Sequence, residues 1–255
     1  MPHQSIISKI PMTGWVILVL TLLATTLSGL WMRDFLIQRD QQQLEFSASQ
    51  LTEKINERLS AYTLALRAGA GLFAGTRRIN REDWLRFVDK LGVAESIVGA
   101  RGFGFAILVP ADSLAQHQQR LIQEGFSDYR IYPAGPRDTY TAVVFLEPMN
   151  AQNRSVIGYD MFSEPTRRAA MIQARDTGQA ALTRKLTLVQ ENGNRDNTGV
   201  LIYVPVYKSD LDLITVEQRR HALAGWVYGA FRVTELLEGI HEDWATPAGV
   251  RRAIG

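Results

Sequence analysis

Positions 10–32 form a run of 23 residues without a charge, lying between Lys9 and Arg33. Its centre reads WVILVLTLLATTLSGLWM, with Trp15 and Trp31 near the two ends. A helix needs about 20 apolar residues to cross a bilayer, and tryptophan favours both interfaces. A cleaved signal peptide has a shorter apolar core, about 7–15 residues, and ends at small side chains. Leu30-Trp31-Met32 offers no such cleavage context. The pattern predicts a retained transmembrane helix over 10–32, preceded by a short segment, 1–9. Charge does not orient it, because Lys9 stands on one side and Arg33 and Arg39 on the other.

The next stretch, 33–68, contains neither Gly nor Pro and predicts one long helix. Leu44, Ala48, Leu51, Ile55, Leu59, Tyr62 and Leu66 follow at steps of 4, 3, 4, 4, 3 and 4, which places Leu44, Ile55 and Leu66 eleven apart. An eleven-residue period corresponds to about 3.67 residues per turn, close to a straight seam. Two readings fit this stripe. In one the helix is a stalk that pairs with a second copy of the chain. In the other it is an amphipathic helix lying along its own domain.

Beyond Gly69-Ala70-Gly71 the pattern becomes mixed. Asn80 caps a helix over 80–92, with Glu82 and Asp83 in the first turn where negative charge is favoured. FGFAILV at 103–109 reads as a buried strand ended by Pro110, and 111–124 as a helix stopped by Gly125. TAVVFL at 141–146 is a second strand, and Ser163 with Pro165 opens a helix that reaches Gly178. Strands at 182–190 and 200–207 flank a turn-rich segment and predict an antiparallel hairpin. A strand at 223–231 and a short helix at 233–240 follow. Without a steady βαβ rhythm, this order predicts an α+β domain on an antiparallel sheet.

Charge and chemistry narrow the function. Lys and Arg number 28 against 26 Asp and Glu, a net +2, which gives no basic stripe for nucleic acid. With no cysteine, disulfides and thiolate metal sites are excluded. His3, His117, His221 and His241 share no metal-ligand spacing, and no phosphate-binding, metalloprotease or nucleophile-elbow motif is present. Neither a cofactor nor an enzyme activity is expected within these residues. Asp160 and Glu164 form a pair of acids suited in principle to proton transfer, although Glu164 more simply complements the dipole of the helix it opens. Arg167 and Arg168 read as a solvated helix face.

Several segments are familiar in order and spacing: FLEPMNAQNR (145–154), IGYDMFSEPTRRAAM (157–171), ARDTGQAALT (174–183) and GVLIYVPVY (199–207). Weaker matches are GLFAGTRRINREDW (71–84) and GWVYGAFRVTELLEGI (225–240). On these residues the chain resembles the CHASE domain, the extracellular sensor of cytokinin-receptor-type histidine kinases and of bacterial diguanylate cyclases. The resemblance implies a cytoplasmic 1–9, a sensor over 69–240 outside the cell's inner (plasma) membrane, and a long helix leading into two PAS-like α+β halves. It also implies a homodimer joined through the stalk, and an output enzyme beyond residue 255. The second half lacks its closing strands in this chain, and 241–255 reads as a remnant of a larger receptor or of a gene product cut short.

The same resemblance implies a small-molecule site. In cytokinin receptors the aspartate matching Asp160 accepts hydrogen bonds from the ligand's ring, and the backbone at the position matching Leu182 faces it. Thr177 has a supporting role in that wall. Phe145, Tyr203 and Val204, on the flanking strands, are candidates for its floor and lid. A structural reading of Asp160 also stands, as a helix cap or a partner of Arg154. On that alternative the chain is a non-binding structural or dimerisation module.

Overall fold

The first element is a single helix, α1, Met12–Gly75, in the computed structural model, which describes residues 12–75, 79–92, 99–189, 198–208 and 211–235. Two compact units divide between Lys54 and Ile55. In the first, Thr13–Met32 is long and apolar enough to cross a membrane, and none of it is buried within the molecule. Hydroxyls inside this stretch are satisfied locally. Thr21, Thr25 and Thr26 donate to the carbonyls of Ile17, Thr21 and Leu22 at 3.0, 2.7 and 2.9 Å. Bonding back to the preceding turn lets hydroxyls sit within an apolar run.

In the second unit, α1 continues through Gly69 and Gly71 rather than ending at 68. Glycine weakens a helix interior, but here it serves packing. A Cβ on Gly69 would lie 3.2 Å from Phe87 and 3.3 Å from both Trp84 and Val227, so glycine lets the helix approach without pushing these side chains aside. Among the described residues five further α-helices follow: α2 Arg81–Lys90, α3 Leu114–Gln123, α4 Ala151–Arg154, α5 Pro165–Thr177 and α6 Val216–Ala222. Asn80 caps α2 as its sequence suggests, and Asp83 returns the bond to close a reciprocal capping box. A short 3₁₀ turn, Ala111–Ser113, precedes α3.

Among the described residues six strands form one antiparallel sheet: β1 Ala100–Pro110, β2 Thr139–Glu147, β3 Ala181–Leu182, β4 Leu186–Thr187, β5 Thr198–Tyr207 and β6 Leu223–Arg232. Their order is β2-β1-β6-β5-β3, with β4 also paired to β5. The expected hairpin therefore exists with its first arm broken into β3 and β4, both antiparallel to β5. The helix expected over 233–240 lies outside the described residues beyond Glu235. Among the described residues there is one sheet, where the resemblance implied two halves.

Period-two alternation gives the sheet two apolar faces. Phe103, Phe105, Val144, Ile202, Val204, Val227 and Phe231 pack with Tyr62 and Leu66 of α1 and Trp84 and Val88 of α2. The Tyr62 and Phe231 rings stack at 4.6 Å. Ala106, Val143, Leu146, Leu201, Tyr203, Trp226 and Tyr228 fill the other face beneath Ala170, Met171 and Ala174 of α5. Thus the eleven-residue stripe, at Tyr62 and Leu66, packs against the chain's own sheet.

Candidate functional site

Asp160 is held by a short ribbon at the sheet's edge. Gly158 donates to the carbonyl of Val143 at 2.8 Å, Val143 donates to that of Tyr159 at 3.1 Å, and Asp160 donates to that of Tyr132 at 2.7 Å. Gly158 has φ +86°, and a Cβ there would meet the Arg130 carbonyl oxygen at 2.2 Å, so the ribbon requires glycine. The Asp160 side chain is fully buried. Its Oδ1 accepts from the Thr141 amide at 2.9 Å, the Thr141 hydroxyl at 3.0 Å and the Phe162 amide at 3.1 Å. That last bond caps the 3₁₀ turn Met161–Ser163. Oδ2 has no hydrogen-bond partner and lies 3.4 Å from Arg137 Nε. The cation beside Asp160 is therefore Arg137, not Arg154.

From this edge the Met161–Ser163 turn leads over the sheet to α5. Glu164, rather than Ser163, caps that helix, accepting from the Thr166 and Arg167 amides at 2.9 and 2.8 Å. Burial alone would raise the Glu164 carboxyl; those amide bonds and the Arg167 charge turn the net shift downward. The paired acids thus have separate duties, and Glu164 is fixed as an anionic cap. The buried positions of α5 are Arg167, Ala170, Met171 and Ala174, an i, i+3, i+4, i+7 stripe. The expectation of a solvated Arg167–Arg168 pair fails at Arg167, which is 3% exposed, and holds at Arg168.

Arg167 enters a cluster of tyrosines. Its Nη1 donates to the Tyr159 hydroxyl at 3.0 Å and its Nη2 to the Thr187 carbonyl at 2.9 Å, with the guanidinium 5.2 Å from the Tyr159 ring centre. Tyr203 and Tyr228 stand directly opposite each other on β5 and β6, their rings 6.0 Å apart. Tyr203 donates to Met161 Sδ at 2.9 Å. The Tyr228 hydroxyl has no partner. Burial pushes both phenols upward, so both stay neutral. Tyr228 fits because its neighbour on β1 is Gly104, where a Cβ would lie 2.7 Å from the phenol oxygen.

The five residues singled out from the sequence separate. Asp160 and Tyr203 share the α5 side, linked through Met161. Phe145 and Val204 pack on the opposite face, beneath α1 and α2. Tyr203 and Val204 are consecutive in one strand, so a single floor cannot contain both side chains. Leu182 pairs its backbone with Ile202 at the sheet's other margin, and its side chain is 45% exposed. Thr177 donates to the Gln173 carbonyl at 2.8 Å and accepts from the Gln179 amide at 3.2 Å, finishing α5. A cleft of about 1010 Å³ lies on the α2 face, and of the five residues only Phe145 lines it. Thr141, Arg137, Arg167 and Tyr228 were not singled out. Helical spacing marks Arg167, which shares its stripe with Met171. Alternation marks Tyr228, two residues after Trp226.

These features define an α+β domain carried on a long, partly apolar helix, with a polar cluster beneath α5. The chain belongs to the CHASE domain family, whose match covers residues 77–251. It is 33% identical over 116 residues to hybrid signal transduction histidine kinase A of Dictyostelium discoideum, covering 44% of this chain and 5% of that protein. It is also 34% identical over 109 residues to probable histidine kinase 4 of Oryza sativa subsp. japonica, covering 42% of this chain and 10% of that protein. The chain is a sensory module of a signalling receptor and spans only a small part of the length of these relatives.

Proposed function

We propose that this chain is the ligand-sensing part of a membrane receptor, with its small-molecule site on the α5 face around Asp160. One observation carries the reading. Asp160 Oδ2, Arg167 Nε and Tyr228 Oη belong to buried side chains and lack hydrogen-bond partners. Leaving a buried polar group unmet costs about 1–3 kcal/mol, and a polar ligand would remove that cost. On this reading Thr13–Met32 anchors the chain, the sensor lies outside the cytoplasm, and the sheet is one of two PAS-like halves. The stalk joins a homodimer, and a histidine kinase or diguanylate cyclase follows in the complete receptor.

The alternative, a non-binding structural module, draws support from the three hydrogen bonds that Oδ1 accepts within the fold. Asp160→Asn separates the two, because it keeps the shape and one acceptor oxygen while removing the charge. In a thermal-shift screen of small polar metabolites, the native chain should be stabilised by at least one compound and Asp160→Asn by none. Arg168→Gln, on the exposed side of α5, should respond like the native chain. A hit that stabilises Asp160→Asn equally would assign Asp160 to the fold alone.

A further inference from the structure

Arg167 is a buried cation whose guanidinium has only neutral hydrogen-bond and ring partners. Two of its nitrogens donate to a phenol and a carbonyl, its charge lies over the Tyr159 ring, and its Nε–H is free. The carboxylate that acts on it, Glu164, is fixed by the helix's own amides. The neighbouring phenols Tyr203 and Tyr228 are buried and protonated, so neither supplies negative charge. Asp160, by contrast, already has Arg137 at 3.4 Å. An uncompensated buried charge costs several kcal/mol. The Arg167 guanidinium therefore has no carboxylate in direct contact with it, while Asp160 Oδ2 still lacks a hydrogen-bond donor.

Resting on the α5 face being the ligand site, we propose that Arg167 sets its specificity and that the ligand is a small aromatic acid. Its carboxylate meets the guanidinium, its ring lies among Tyr159, Tyr203 and Tyr228, and an N–H or O–H on the ring donates to Asp160. A guanidinium suits this task because its planar donors match a carboxylate, and tyrosine faces suit a flat ring.

The test uses the full chain in detergent micelles, with 4-aminobenzoate as probe and 4-aminobenzamide as its uncharged twin. Trp226 reports on this face, since its indole donates to the Met171 carbonyl at 3.0 Å and its ring lies 5.4 Å from that of Phe162. Tryptophan fluorescence and the unfolding midpoint should both respond to the acid at millimolar concentration, and to the amide at least about tenfold more weakly. Arg167→Gln should abolish that preference, Arg167→Lys should retain part of it, and Arg168→Gln should leave it intact. Equal responses to acid and amide in the native chain overturn the anionic class, as does the absence of any response to the acid. Should Arg167→Gln fail to fold, the native comparison and Arg167→Lys still decide. Acid binding at unchanged affinity in both Asp160→Asn and Arg167→Gln overturns the site itself. Parity of acid and amide, with both lost in Asp160→Asn, overturns only the ligand class.

Discussion

Arg167 and Arg168 are neighbours of one residue type with opposite fates, because each step along a helix turns the side chain by about 100°. The same dependence on surroundings governs His117. Its Nε2 lies 2.8 Å from the Tyr129 hydroxyl and its Nδ1 3.2 Å from Arg120 Nη2, an arrangement that a neutral ring satisfies. Burial, with Arg120 adding to it, lowers its pKa from 6.5 to about 4. The unfolded chain therefore binds the extra proton first as pH falls. Stability should drop between pH 6.5 and about 4, by up to about 3 kcal/mol, with no contribution above that window. Denaturant titrations at neutral and acid pH should show a smaller drop for His117→Gln. Gly104 offers a second test. A Cβ there would lie 2.4 Å from the Phe145 carbonyl oxygen as well as against Tyr228. Gly104→Ala should cost about 1–3 kcal/mol by overpacking, read from the denaturation midpoint.

For whole elements, α1 shows one apolar stripe divided between two surroundings. Tyr62 and Leu66 are buried under the sheet, and Leu59 packs beside them. Leu51, on the same stripe, remains 41% exposed. The intramolecular reading of the stripe thus accounts for its last turns, and the proposed homodimer seam is left the turns before them. Leu66→Ala should destabilise the domain by about 2–5 kcal/mol, the range for a fully buried leucine. Leu51→Glu should leave far-ultraviolet circular dichroism and the unfolding midpoint unchanged while converting dimers to monomers in sedimentation. A folded Leu51→Glu chain that still sediments as a dimer would reject the seam.

At the scale of the whole molecule, the family match and the apolar span make a consistent pair. On the proposed reading, the sheet and the output lie on opposite sides of the membrane. Alkaline phosphatase, active only outside the cytoplasm, fused after residue 235 should be active. A cytosolic reporter at the same point should be silent, and the reverse result would invert the topology. Deleting residues 1–32 should release the chain from the membrane fraction without unfolding the second unit, since none of Thr13–Met32 is buried.

The sequence by itself determined the elements whose signal is local. The apolar run, the Asn80–Asp83 cap, the strand ended by Pro110 and the α+β order all depend on neighbours within one or two turns. The resemblance carried by IGYDMFSEP singled out Asp160 before any contact was known. Only the tertiary structure decided what depends on residues far apart in the chain. Gly69 looked like the end of a helix and instead lets α1 approach Trp84, Phe87 and Val227. Tyr203 and Val204 looked like joint candidates until the pleat sent them to opposite faces. Arg167 looked solvated until α5 packed onto β5, because burial belongs to the surface an element covers and not to the residue that provides it.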